Sequence, residues 1–115
     1  MRRLILIAVC LFVLFMSGCE KYIIEKPDIP TGISFSEDLQ PILNTKCVRC
    51  HSGPNDPDLS PEQSYEALID GGYVNTDDPE SSELYTVLRG THSGRATEEE
   101  KLLILQWITE GAENN

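Results

Sequence analysis

Apolar residues are distributed along this chain in two ways. From Leu4 to Met16 they form an unbroken run of thirteen. Beyond Gly32 they recur three and four residues apart, which places them on one face of a helix. Phe35, Leu39, Ile42 and Leu43 make the first such set. It begins near Ser34 or Ser36, with Ser34-x-x-Glu37 as a capping box and acidic residues at the positive helix end. Pro41 sits awkwardly in its interior, because a proline there loses a hydrogen bond and crowds the preceding turn. A cap at Ser36 would bring it closer to the helix start.

A second set, Tyr65, Leu68 and Ile69, follows Ser60-Pro61-Glu62-Gln63. That tetrad reads as an N-cap, a proline at the first helical position and a completed capping box. Gly71-Gly72 stops it. A short third helix carries Leu84, Tyr85, Val87 and Leu88 and ends at Gly90. The last opens at Thr97, with Glu98, Glu99 and Glu100 in its first turn. Its face is Ile104, Trp107, Ile108 and Gly111, with Leu103 and Leu105 beside it. No strand pattern or repeat interrupts the series, so the expected fold class is all-α.

The leading apolar run is different in kind. Arg2 and Arg3 precede it, and Met16-Ser17-Gly18-Cys19 follows. A charged start, a short apolar stretch and small residues at the end describe an export signal. Thirteen residues fall short of the roughly 20 that a spanning helix needs. The end of the segment resembles a bacterial lipobox, in which Cys19 is lipidated and becomes the new N-terminus; Met16 stands where leucine is more usual. The alternative is an uncleaved anchor. Both tie the domain to a bacterial membrane, facing periplasm or cell surface. The expected organisation is a signal peptide over 1–18, a tether over 19–32 with Pro27 and Pro30, and one domain over 33–115.

Charge narrows the partners. The chain has 9 Lys and Arg against 19 Asp and Glu, a net charge of −10. Loss of Arg2 and Arg3 with the signal takes it to −12. Such a surface disfavours nucleic acid and anionic membrane faces and steers toward partners with basic docking patches. Cys10 also leaves with the signal and Cys19 carries lipid, so only Cys47 and Cys50 remain. Two cysteines make no disulfide framework. A domain this small buries little surface by itself and often needs a staple.

Those two cysteines stand in Cys47-Val48-Arg49-Cys50-His51, the C-x-x-C-H arrangement of c-type haem attachment. On a helical turn, residues i and i+3 share a face, so both sulfurs can reach the vinyl groups on one haem edge. His51 is then placed to ligate the iron from the proximal side. Its second ring nitrogen is expected to donate to a carbonyl of the following loop, that of Pro57 for example. Three other readings of the cysteines remain open: a thioredoxin-like dithiol, which wants a βαβ setting; a zinc site with His51 and His92, which adjacent Cys50 and His51 suit poorly; and a buried or disulfide-bonded pair.

Phe35-Ser36-Glu37-Asp38-Leu39-Gln40-Pro41-Ile42-Leu43, Cys47 to His51, and Trp107-Ile108-Thr109-Glu110-Gly111-Ala112 together resemble a small class-I-type cytochrome c domain over about residues 33 to 112. The resemblance implies about four helices around one covalent haem c, a crossing of first and last helices, and single-electron transfer without a small-molecule substrate or enzymatic catalysis. It also implies a distal methionine before the last helix. Here that loop is Gly90-Thr91-His92-Ser93-Gly94-Arg95-Ala96, and Met1 and Met16 lie in the signal segment. His92 is the other histidine and is expected as the distal ligand. A five-coordinate iron or Lys101 as ligand are the alternatives, and an exposed loop histidine is the plain one. Imidazole in place of methionine favours ferric iron and lowers the potential.

Weaker expectations attach to other residues. Trp107 is the core aromatic where the first and last helices meet. Tyr65, Tyr73 and Tyr85, and Arg49, Arg89 and Arg95, are candidates for the haem propionates. Asp56 with Asp58, and Asp77 with Asp78, lack EF-hand spacing. Two functions from other classes stand beside electron transfer: a haem module that senses a small ligand, and an accessory domain that uses haem only to fold.

Overall fold

The computed structural model describes residues 1–3 and 27–115. The apolar run, the lipobox with Cys19, and most of the expected tether lie outside the described residues. Among the described residues the fold is all-α. It has helices α1 (Gln40–Lys46), α2 (Ser64–Asp70), α3 (Glu83–Arg89) and α4 (Glu98–Thr109). A π-helical turn, Phe35–Leu39, leads into α1, and a 3-10 turn, Pro79–Ser81, precedes α3. No helix among these residues is long and apolar enough to cross a membrane.

The π turn is how the chain accommodates Pro41. Ser34 is the cap, its hydroxyl accepting from the Glu37 N–H at 3.2 Å while Asp38 accepts from the Ser34 N–H at 2.8 Å. The next bonds lengthen by one residue: Leu39 N–H donates to Ser34 O, and Gln40 N–H to Phe35 O. An i→i+5 ring is wider than an α turn and relieves the clash between a proline ring and the carbonyl four residues back. Pro41 thereby enters in the first turn of α1. The cap is thus Ser34 and not Ser36, and the widened turn does what a later start would have done.

The second start also differs from the sequence pattern. Ser60 gives its N–H and hydroxyl to Asp58 Oδ1, so its side chain does not cap a helix. One turn over Pro61–Gln63 runs into α2, whose N-cap, Gln63, makes no side-chain capping bond. Aspartate two residues upstream wins because it accepts the backbone and hydroxyl protons of Ser60 together.

α4 follows the pattern closely. Thr97 and Glu100 form the full capping box. Ile104, Trp107 and Ile108 are buried. At its end Ala112 N–H donates to Trp107 O and Gly111 N–H to Ile108 O, a Schellman closure with Gly111 at φ +106°. Phe35 and Trp107 meet with ring centroids 5.3 Å apart, and Tyr65 stands edge-on to Phe35 at 5.2 Å. The polar tips of this aromatic cluster are satisfied: Trp107 Nε1 donates to Glu113 O and Tyr65 Oη to Ala112 O, both at 2.9 Å.

The entry to the domain is tied to its exit. Glu110 accepts from the Gly32 and Ile33 N–H groups, and Asn115 accepts from the Phe35 and Ser36 N–H groups and two serine hydroxyls. Gly32, the last residue of the expected tether, therefore bonds to the domain. Ile29 lies beside Leu102 and Leu105 on the outer side of α4.

Candidate functional site: a cleft between two histidines

α1 ends at Lys46, and the Cys47–His51 segment continues as a tight turn in which Cys50 and His51 both donate N–H to Cys47 O. That turn forms one wall of a cavity of about 270 Å³. Its base is apolar, from Leu59, Leu68, Leu84, Val87 and Leu88, and Tyr73 closes one flank. A Cβ at Gly71 would come within 2.6 Å of the Tyr73 ring, so this glycine is what lets Tyr73 fold back against the chain. Lys46, Asp56, Glu83 and Arg95 bring charge to the same cavity.

His51 and His92 both line it, with ring centroids 6.2 Å apart and planes tilted 46°. Two imidazoles bonded through nitrogen at about 2 Å to opposite sides of one metal ion would have ring centres roughly 6.4 Å apart. The spacing fits two ligands on one ion, and the apolar base fits a flat macrocycle that needs dry walls. Cys47 and Cys50, both free thiols, border the same space. The residues present therefore fit a covalently held haem.

The two histidines are held differently. His51 is partly buried, and its Nδ1 is buried without a hydrogen-bond partner. The expected carbonyl acceptor, that of Pro57 included, is therefore not in place. The loop instead holds the His51 backbone: Leu59 N–H donates to His51 O at 2.9 Å, and Asn55 Nδ2 donates to Cys50 O at 3.0 Å. Leu59 is secured in turn by Gln40, whose Nε2 donates to Leu59 O at 3.3 Å and whose Oε1 accepts from the buried Ser64 hydroxyl. His92 is exposed. Its N–H donates to Val87 O at 2.8 Å, its carbonyl accepts from Arg95 N–H at 2.9 Å, and its Nδ1 lies 3.0 Å from Thr91 Oγ1.

Cys47 is not activated as a nucleophile. Burial pushes the Cys47 thiol up, and the Glu100 carboxylate and neighbouring Cys50 push it the same way. Catalytic dithiols have the opposite shift. Glu100 also closes the α4 capping box and faces Lys46 at 3.7 Å, so it links the last helix to the end of the first. No group of three or more His, Cys, Asp or Glu side chains is gathered as a metal cage among the described residues.

The secondary candidates separate cleanly. Arg95 and Tyr73 line the cavity, whereas Arg49, Arg89, Tyr65 and Tyr85 do not. Arg89 lies over the Tyr85 ring at 5.6 Å, and Tyr65 belongs to the aromatic core. Lys101 points elsewhere and bonds Glu98 at 2.6 Å. Trp107 is 1% exposed and belongs to the core. Sequence reasoning missed Thr91, Gln40 and Glu100 at this site. Only Glu100 had left a signal, as the third residue of a capping box, and that signal concerned the helix.

No protein-family model, no curated protein and no solved structure matches the chain.

Proposed function

We propose that this protein is a membrane-anchored monohaem c-type cytochrome that carries single electrons outside the cytoplasm, in the manner of the small cytochrome c domain its motifs resemble. The observation that carries the reading is the opposition of His51 and His92 across an apolar cleft bordered by Cys47 and Cys50. Bound haem supplies an iron that cycles between two oxidation states without making or breaking bonds in a substrate. The chain does the rest. Cys47 and Cys50 would hold the haem edge through their sulfurs. His51 and His92 would hold the iron through one ring nitrogen each. Leu59, Leu68, Leu84 and Leu88 exclude water, which limits solvent reorganisation when the charge changes. Cys19 carries the lipid anchor, and an acidic surface favours redox partners with basic docking patches.

Mass spectrometry of the exported protein tests the class. The expected result is the mass of one haem added, lost in the Cys47→Ser, Cys50→Ser double variant. A ferric low-spin spectrum that becomes high-spin in His92→Ala assigns the distal ligand. An unchanged mass in the wild type, isolated from a host that attaches c-haem, overturns the reading.

The exposure of His92 favours a second reading, in which it yields to a small gas and the domain senses that ligand. Carbon monoxide binding that outruns electron exchange with every basic redox partner would select it.

A further inference from the structure

We infer that Thr91 is a positioning residue for the distal ligand, its hydroxyl accepting a hydrogen bond from His92 Nδ1 and so fixing both the tautomer and the angle of the ring. The inference rests on the reading of His92 as an iron ligand. It adds a residue that no motif assigns.

The backbone of His92 is already anchored on both sides, by the bonds from its N–H to Val87 O and from Arg95 N–H to its carbonyl. What remains free is rotation of the side chain. Thr91 Oγ1, at 3.0 Å from Nδ1, is the partner given to that ring. A neutral imidazole carries one proton, and the nitrogen that bonds a metal must be the bare one. If the hydroxyl accepts from Nδ1–H, Nε2 keeps its lone pair. If nothing accepts there, the proton is free to sit on either nitrogen, and the ring is free to turn away from the cleft.

The opposite ligand sharpens the argument. His51 Nδ1 is buried without a partner, so burial and the Leu59–Gln40 bonds hold that side in place of a hydrogen bond to its ring. His92 is exposed and lacks such packing. On the exposed side, the hydroxyl replaces packing as the source of order. Outer partners of this kind typically change ligand affinity by 10–100-fold. Exposure to competing water puts Thr91 at the lower end of that range.

The test uses the haem-loaded full chain and compares wild type, Thr91→Val and Thr91→Ser. Valine keeps the shape and removes the hydroxyl; serine keeps the hydroxyl. In the ferrous protein at saturating carbon monoxide, binding is limited by release of His92. Thr91→Val is expected to release it about tenfold faster, and Thr91→Ser to stay close to wild type. Solvent exchange of the His92 Nδ1 proton, followed by NMR, should accelerate in Thr91→Val alone, and the reduction potential should rise with the loss of the acceptor. Equal carbon monoxide and proton-exchange rates in wild type and Thr91→Val, or a Thr91→Ser protein that behaves as the valine variant, overturn the role of the hydroxyl. His92→Ala separates the two levels. If it leaves the wild-type six-coordinate spectrum unchanged, His92 is not the ligand and the underlying reading falls; if it turns high-spin while Thr91→Val is silent, only the inference about Thr91 falls.

Discussion

The aromatic core and the histidine cleft are built from the same short helices, yet they are finished to different standards. Around Phe35, Tyr65 and Trp107 the space is filled, and the indole and phenol protons reach backbone carbonyls. Across the cleft, leucines stand beside open volume, a buried imidazole nitrogen has no partner, and two thiols are free. Buried polar groups are normally satisfied, so an orphaned one marks a place where packing serves something besides stability.

Paired truncations test that contrast most severely. Trp107→Ala removes the centre of the core and should cost about 3–5 kcal/mol in denaturant unfolding. Leu59→Ala removes a side chain that already borders a cavity, where surroundings and solvent can fill in, and should cost only about 2 kcal/mol. Equal losses would mean that the cleft is as tightly packed as the core. A smaller effect is expected at the residue that joins the two regions. Thr97→Ala removes the hydroxyl that accepts from the Glu100 N–H and caps α4, for a loss of about 1 kcal/mol. Removing the charge itself, in Glu100→Gln, should make the Cys47 thiol of the haem-free protein more reactive to alkylation, because Glu100 is one of the groups that raise it.

Acid should loosen the margins of both regions with the least effect on the core. Glu110 is held below the usual carboxylate range by the Gln106 amide and the Gly32 and Ile33 N–H groups. Asp58 is lowered by the Ser60 hydroxyl and N–H and by the Gly53 N–H. Each has a folded-state pKa below its unfolded value, so its contribution is complete above the unfolded value and disappears as pH falls through the folded one. The protection factors of the Gly32, Ile33, Gly53 and Ser60 amides, taken against intrinsic exchange at the same pH, should therefore fall on acidification below about pH 4.5, the ordinary value of a glutamate. The Trp107 indole proton should stay protected. Simultaneous exposure of that indole would erase the distinction between margin and core.

Local signals carried a good part of this architecture. The capping box at Thr97, the glycine that closes α4, and the spacing of Ile104, Trp107 and Ile108 are matters of neighbours within one or two turns, and a sequence displays them. Cys47, Cys50 and His51 stand out for the same reason, as a motif of near neighbours, and the structure places all three along one cavity. His92 was reached by matching its loop to a family pattern, and the structure brings its ring opposite His51. What the sequence hid depends on competition or distance. Ser60 had two possible partners and took Asp58. Gln40 reads as a surface residue until Ser64 and Leu59, far along the chain, are folded against it. That His51 Nδ1 is buried away from any acceptor follows from the path of the whole loop.

The π turn before α1 has a further effect, on aim. Each residue of an α-helix advances the direction of its side chain by about 100°. Phe35 is locked to Trp107 at one end of this segment, while Cys47, Cys50 and His51 must look into the cleft at the other. A single widened ring between them acts as a phase adjuster, taking up one residue without turning the far end by that angle. Shortening the segment by one residue would leave a straight helix and an intact anchor, with the cysteines pointing at the wrong quarter of the domain. Where the cysteines face is set by an irregularity eight to twelve residues upstream of the first of them.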